Sequence, residues 1–139
     1  MQIIIDANPV ISLLIKPNKP VVELMFLEEL EIFAPNLLFD EIERNKDVII
    51  KKSALAEEEI NKFISILRKR IIVVPEEEFV KFRSKAEEIC PDEKDITYFA
   101  LSLYLKCPVW SNEKKLKEQK EIAVYATHEL IHFFGLDAE

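Results

Sequence analysis

Among the 26 Asp and Glu residues of the chain, five are set apart by where they fall. Asp6 closes an apolar run, Gln2-Ile3-Ile4-Ile5, of the kind that forms a buried central strand. A carboxylate at the end of such a strand needs a partner or a metal to offset its desolvation. Glu41 lies in the helical stretch Leu37 to Asn45, and Asp92 and Asp95 open the most apolar helical stretch of the chain. Glu113 follows Pro108-Val109-Trp110 and Ser111-Asn112. Carboxylates are hard oxygen donors that suit Mg²⁺ or Mn²⁺. Ions of that kind activate water and offset charge on a phosphoryl group displaced in line.

A second pattern competes for the chemistry. His128-Glu129-Leu130-Ile131-His132 fits H-E-x-x-H, which on a helix puts two histidines on one face for Zn²⁺ with Glu129 as general base. Gly135 also falls in register with one branch of zinc metalloproteases, but the match stops there. Ala138 occupies the place of the third ligand, Asp137 is one position out of register, and the chain's two histidines are already used. The expectation is a terminal helix with two ordinary histidines. The acidic set has ordinary readings too: Asp92 as a helix N-cap, Asp95 as a favourable first-turn charge, Glu41 as a solvated helix residue. Asp6 is the hardest to dismiss in that way.

The elements that must position these groups follow from periodicity. Asn8-Pro9 suits an N-cap and first helical position, which puts a short apolar helix over Val10 to Ile15. Val21 to Glu29 reads as a second helix and Leu30 to Ala34 as an alternating strand. A helix over Leu37 to Asn45 comes next. Asp47 to Ala56 is ambiguous, and Glu57 to Arg70 is helical through Ile60, Phe63, Ile64 and Leu67. Ile71 to Val74 is a β-branched strand halted by Pro75, and Glu76 to Ile89 is a single helix. Ile96, Phe99, Ala100 and Leu103 mark the central helix, which Cys107-Pro108 ends. Asp92 and Asp95 share a face of its first turn. A two- or three-residue strand at Pro108 to Trp110, a short basic helix at Lys114 to Lys120, a strand over Glu121 to Ala126 and a helix over His128 to Phe134 complete the chain. Thr127 is the expected cap of that last helix. Strands alternating with helices require a parallel sheet covered on both faces. In such a sheet, ligands bind at the carboxyl edge where strand order reverses.

Composition bounds the remainder. With 139 residues, 49% of them hydrophobic and 32% charged, and a single glycine, the chain reads as one compact domain spanning 1–139. A net charge of −7 argues against nonspecific nucleic-acid binding, which relies on Lys and Arg. Basic runs at Lys51-Lys52, Arg68 to Arg70 and Lys114 to Lys120 read as solvated faces, the last being the best placed to meet phosphates. The start lacks a basic leader, and no apolar run is long enough for a membrane span, so the expected location is cytoplasmic. Cys90 and Cys107 sit at opposite ends of the central helix, roughly 20 Å apart at 1.5 Å per residue, too far to bridge.

Taken together, Ile3-Ile4-Ile5-Asp6-Ala7-Asn8, Glu41, Asp95-Ile96-Thr97-Tyr98-Phe99-Ala100 and Ser111-Asn112-Glu113 resemble the PIN domain family, which includes VapC-type toxin ribonucleases of toxin–antitoxin pairs. Order and element lengths agree over essentially the whole chain. The resemblance implies a three-layer α/β/α domain whose parallel sheet of about five strands runs 3-2-1-4-5. It implies Mg²⁺- or Mn²⁺-dependent hydrolysis of RNA phosphodiesters. Asp6 and Asp95 would hold the ion with help from Glu113 and Asp92, and Glu41 would bind metal or orient a water. Asn8 and Ser111 would brace the carboxylates by hydrogen bonds. It also implies a small antitoxin covering the acidic edge, and a homodimer. One departure stands out: the family usually carries Asp where this chain has Glu113, which keeps the charge but reaches one methylene further. Another reading keeps the fold and drops the catalysis, leaving a PIN-like module that binds a partner.

Overall fold

The computed structural model describes residues 1–137; Ala138, which stands at the third-ligand place of the zinc motif, lies outside the described residues. Five strands form one parallel sheet: β1 (Gln2–Ile5), β2 (Glu31–Pro35), β3 (Ile72–Val74), β4 (Val109–Trp110) and β5 (Val124–Tyr125), in the order β3-β2-β1-β4-β5. Among the described residues eight α-helices flank it: α1 (Ala7–Ile15), α2 (Lys19–Met25), α3 (Leu37–Arg44), α4 (Lys46–Lys52), α5 (Glu57–Arg70), α6 (Arg83–Ile89), α7 (Ile96–Leu105) and α8 (Thr127–Phe133). None of the described helices is long and apolar enough to cross a membrane.

β1 is central because Ile3, Ile4 and Ile5 are apolar on both faces and all fully buried. It pairs Ile3 with Ile32 on one side, and Ile4 with Val109 and Ile5 with Trp110 on the other. The chain leaves β1 toward β2 and later returns to its other flank as β4. The reversal of strand order therefore falls between β1 and β4. α7 lies against β1 and β2. Its Ile96, Tyr98, Phe99, Ala100 and Leu101 are buried, so it is apolar nearly all round rather than amphipathic. Each large side chain so buried stabilises the fold by about 1.5–3 kcal/mol. The helix stops at Lys106, which takes a left-handed conformation with φ 55°, and Cys107 N–H then bonds back to Ser102 O. Pro108 only follows a stop already made.

Several local expectations give way to the observed structure. The cap of α1 is Asp6, whose Oδ1 accepts from Ala7 N–H at 2.7 Å, not Asn8. Asn18 caps α2, so that helix starts and ends earlier than Val21 to Glu29. Phe33 is buried despite the apparent alternation of β2, because the sheet is covered on both faces. The expected helix over Glu76 to Ile89 is α only from Arg83. Before that come two 3-10 turns, Glu76–Glu78 and Val80–Phe82, which satisfy much the same apolar spacing with tighter hydrogen bonds. The basic segment is likewise a 3-10 turn, Lys114–Glu118. β5 is only two residues long, and Ala126 rather than Thr127 caps α8. Thr127 Oγ1 is engaged elsewhere, accepting from Trp110 Nε1 at 2.9 Å. Gly135 ends α8 with φ +72°, and Cys90 and Cys107 are both free thiols.

Candidate metal centre and its flanking clefts

The register of β1 against β4 builds the core of the site. Ile5 pairs with Trp110, so the next residues, Asp6 and Ser111, leave adjacent strands side by side at the carboxyl edge. Ser111 Oγ donates to Asp6 Oδ2 at 2.7 Å, and its oxygen accepts from Glu113 N–H at 3.1 Å. Asp6 is thus gripped on both oxygens, one by Ser111 and the other by the first N–H of α1.

Asp95 reaches the same point from the opposite layer. Asp92 caps a 3-10 turn (Glu93–Asp95), its Oδ1 accepting from Lys94 N–H at 3.3 Å, and Asp95 then stands at the head of α7. Packing of α7 against β1 brings the Asp95 carboxyl up to that of Asp6, so that the two acids act on each other directly. Both acids are almost wholly removed from solvent, Asp6 being 5% and Asp95 4% exposed. Oδ2 of Asp95 is buried without any hydrogen-bond partner. An orphaned carboxylate oxygen beside a second buried carboxylate is a costly arrangement for a bare protein.

The electrostatics state the same cost. Burial pushes Asp6 above the usual carboxylate range, although its hydrogen bonds oppose the shift. Asp95 is pushed up to about 7, chiefly by burial and then by the negative charges of Asp6, Asp92 and Glu41. Lys94 pulls both acids back down. Glu41 comes from α3, where Tyr98 Oη donates to its Oε1 at 2.7 Å. It too is raised, by burial first, against the pull of that hydrogen bond. Tyr98 is one helical turn beyond Asp95, so α7 supplies both a carboxyl to the pair and a hydroxyl to Glu41. In the sequence Tyr98 stood only within the run Asp95 to Ala100, with no role of its own. Its signal was a polar tip on a helix position that faces the core.

Two clefts open from this edge. One, of about 550 Å³, is lined by Glu41, Arg44, Asn45, Lys94 and Thr97 among others. The second, of about 520 Å³, is lined by Ser111, Asn112, Glu113, Lys114, Lys117 and His128. The structure therefore brings Asp6, Asp95, Ser111 and Glu41 into one neighbourhood with Asp92 at its rim. Glu113 borders the second cleft, joined to the pair through Ser111. Among the described residues Asn8 makes no hydrogen bond to a carboxylate; its Oδ1 accepts from Asn112 N–H at 3.3 Å and steadies the loop after β4. Among the described residues, no group of three or more His, Cys, Asp or Glu side chains is arranged as a ready metal cage.

The histidine pattern is not arranged for catalysis. Glu129 Oε1 accepts from Ala126 N–H and is bound by Lys117 Nζ, and His132 Nδ1 meets Asp137 Oδ2 at 2.8 Å. Glu129 is thus occupied as a helix cap. The two histidines border an apolar hollow with Met1, Tyr125 and Phe133.

Comparison with known proteins agrees with the geometry. A family model described as PIN domain matches residues 4–127. No curated protein matches significantly. Among solved structures, a chain of VapBC2 from Rickettsia felis, crystallised bound to a DNA fragment from their promoter, is similar with a TM-score of 0.66. It is 12% identical, over 91% of this chain and 98% of that one. PAE2754 from Pyrobaculum aerophilum is similar with a TM-score of 0.66 at 10% identity, covering 99% of this chain and 91% of that one.

Proposed function

Since the chain belongs to the PIN domain family, we propose that it is a metal-dependent ribonuclease whose ion is held by Asp6 and Asp95. The observation that carries this reading is the partnerless, buried Oδ2 of Asp95 beside the buried Asp6 carboxyl. Two desolvated acids with a free oxygen fit a hard divalent cation such as Mg²⁺ or Mn²⁺, whose charge would remove their mutual repulsion. When bound, the ion supplies positive charge against the phosphoryl oxygens and makes an attacking water easier to deprotonate.

The chain's own residues do the remainder. Ser111 and the start of α1 hold Asp6 in a single orientation. Packing of α7 fixes Asp95 opposite it. Tyr98 occupies one oxygen of Glu41, which leaves the other to orient a water and take its proton at a carboxyl already made more basic by burial. Water attacks phosphorus, the P–O bond to the leaving nucleotide breaks, and the leaving oxygen takes up a proton. Glu113 and Asp92, at the rims, supplement the negative field that attracts the ion. The VapC-type resemblance extends the proposal to a toxin of a toxin–antitoxin pair, with a small antitoxin protein and a second copy of the chain as partners. Size-exclusion chromatography with light scattering tests the second copy directly.

A non-catalytic partner-binding module is favoured by one observation, the place of Glu113 on a neighbouring cleft. Calorimetric titration of Mn²⁺ into wild type and Asp95→Asn separates the two. We expect wild type to bind and Asp95→Asn to lose at least about tenfold in affinity, as removal of one charge from a shared site does. Equal binding by both proteins, or by neither, would exclude the metal centre and favour the module.

A further inference from the structure

We propose that the cleft beside Glu41 is a phosphate-binding subsite for single-stranded RNA, with Arg44 and Lys94 as the cations that hold the strand. The inference rests on the nuclease reading and specifies where its substrate lies. In a chain of net charge −7, cations available at the acidic edge are few. Three cations of the basic runs visible in the sequence are already engaged. Arg68 stacks over the Phe39 ring at 4.5 Å, and Arg70 is tied to the carbonyls of Met25, Leu27 and Leu30. Lys117, in the segment that directly follows Glu113, is paired with Glu129.

Arg44 and Lys94 are different. Arg44 makes no ion pair and no side-chain hydrogen bond among the described residues, and it is exposed. Lys94 has only a 3.9 Å approach to Asp92 and is 71% exposed at its side chain. They come from separate elements, the end of α3 and the 3-10 turn before α7, and line one cleft of about 550 Å³. Glu41 lines it too. A helical turn separates Glu41 from Arg44, and Lys94 directly precedes Asp95. A strand whose phosphates meet Arg44 and Lys94 thus passes the carboxyl pair. Nearby polar groups suit ribose and base edges: the Asn45 side-chain oxygen, since its amide N–H₂ already donates to Glu41 O at 2.7 Å, and the Thr97 hydroxyl. Without cations, an acidic edge would repel RNA; these two let it admit one.

The test uses the full chain with Mn²⁺ and a fluorescein-labelled single-stranded oligoribonucleotide whose phosphorothioate linkages slow cleavage. Anisotropy is followed across a series of salt concentrations. Arg44→Gln/Lys94→Gln is compared with wild type and with Lys62→Gln/Lys69→Gln, a charge-matched control on α5, which ends at the opposite edge of the sheet. We expect the cleft variant to bind about tenfold more weakly at low salt and its salt slope to fall by about 1.4, as loss of two phosphate contacts to a single strand requires. Mn²⁺ affinity should be kept or tightened. A cleft variant that matches the α5 control in affinity and slope, while wild type binds RNA, overturns the subsite and leaves the nuclease reading standing. A wild type that binds Mn²⁺ but no oligoribonucleotide overturns both.

Discussion

At the scale of single residues, the Asp6–Asp95 pair costs the metal-free fold stability. Burial and mutual repulsion raise both carboxyls in the folded chain, Asp95 to about 7 from 3.8. Between those values the folded protein holds more protons than the unfolded chain, so stability falls as pH rises. The favourable contribution is fully present below the unfolded value near 3.8 and is lost as pH climbs through about 7. Thermal melts of metal-free protein should therefore show a Tm that declines from pH 4 to 7, with Glu41 adding in the same sense. Asp95→Asn should flatten that decline and, above pH 7, stabilise the metal-free protein by about 1–2 kcal/mol, roughly 2–6 °C. The same substitution would weaken Mn²⁺ binding. A variant melting at or below wild type above pH 7 would mean that the pair is not strained.

At the scale of elements, one helix head and two strand ends position the site, while an arginine at the opposite edge of the sheet secures a loop. Arg70 closes α5 and directs Nε to Met25 O at 2.7 Å and Nη2 to Leu27 O and Leu30 O, fixing the loop from α2 into β2. These carbonyls lie at the end of a helix and before a strand, where backbone partners are lacking. Arg70→Met keeps much of the aliphatic stem and removes every donor. The expected cost is about 2–4 kcal/mol in urea unfolding, with Mn²⁺ affinity unchanged because Arg70 sits at the opposite edge of the sheet. A loss of metal affinity as large as the loss of stability would show that the loop and the site are coupled. These contacts were invisible in the sequence, where Arg68-Lys69-Arg70 read as a solvated run. A charged side chain that turns inward is recognised only from the carbonyls it finds.

At the scale of the whole molecule, the proposed metal would bind in one equilibrium with folding. Mn²⁺ at about a hundredfold its dissociation constant should add about 2.7 kcal/mol of stability. The gain should shrink at pH 5, where protons compete for the same carboxyls. A Tm shift independent of pH would place the ion elsewhere. Much of this architecture was legible beforehand. The apolar run ending in Asp6 set β1 and the acid at its edge. The alternation of strands and helices required a parallel sheet, and the order implied by the PIN resemblance is the order found. What escaped did so for physical reasons. The 3-10 turns of Glu76 to Phe82 obey nearly the spacing of an α-helix, so periodicity cannot separate them. Asp6 and Asn8 are both good caps, and the choice between them depends on where β1 releases the chain. Tyr98, Arg44 and Lys94 acquire meaning only when α3 and α7 are brought together in space.

The closeness of Trp110 to the site has an optical consequence. It is the only tryptophan of the chain, fully buried, with its indole N–H bonded to Thr127. It stands one residue before the serine that grips Asp6 and is paired in register with Ile5. Its fluorescence therefore comes from a single dry position at the junction of β1, β4 and α8. Emission from the native chain should be that of an indole shielded from water, and release of the strand ends should shift it to the red. The molecule thus carries an intrinsic dye at the carboxyl edge, and ion uptake or melting at that edge can be followed in light without a label.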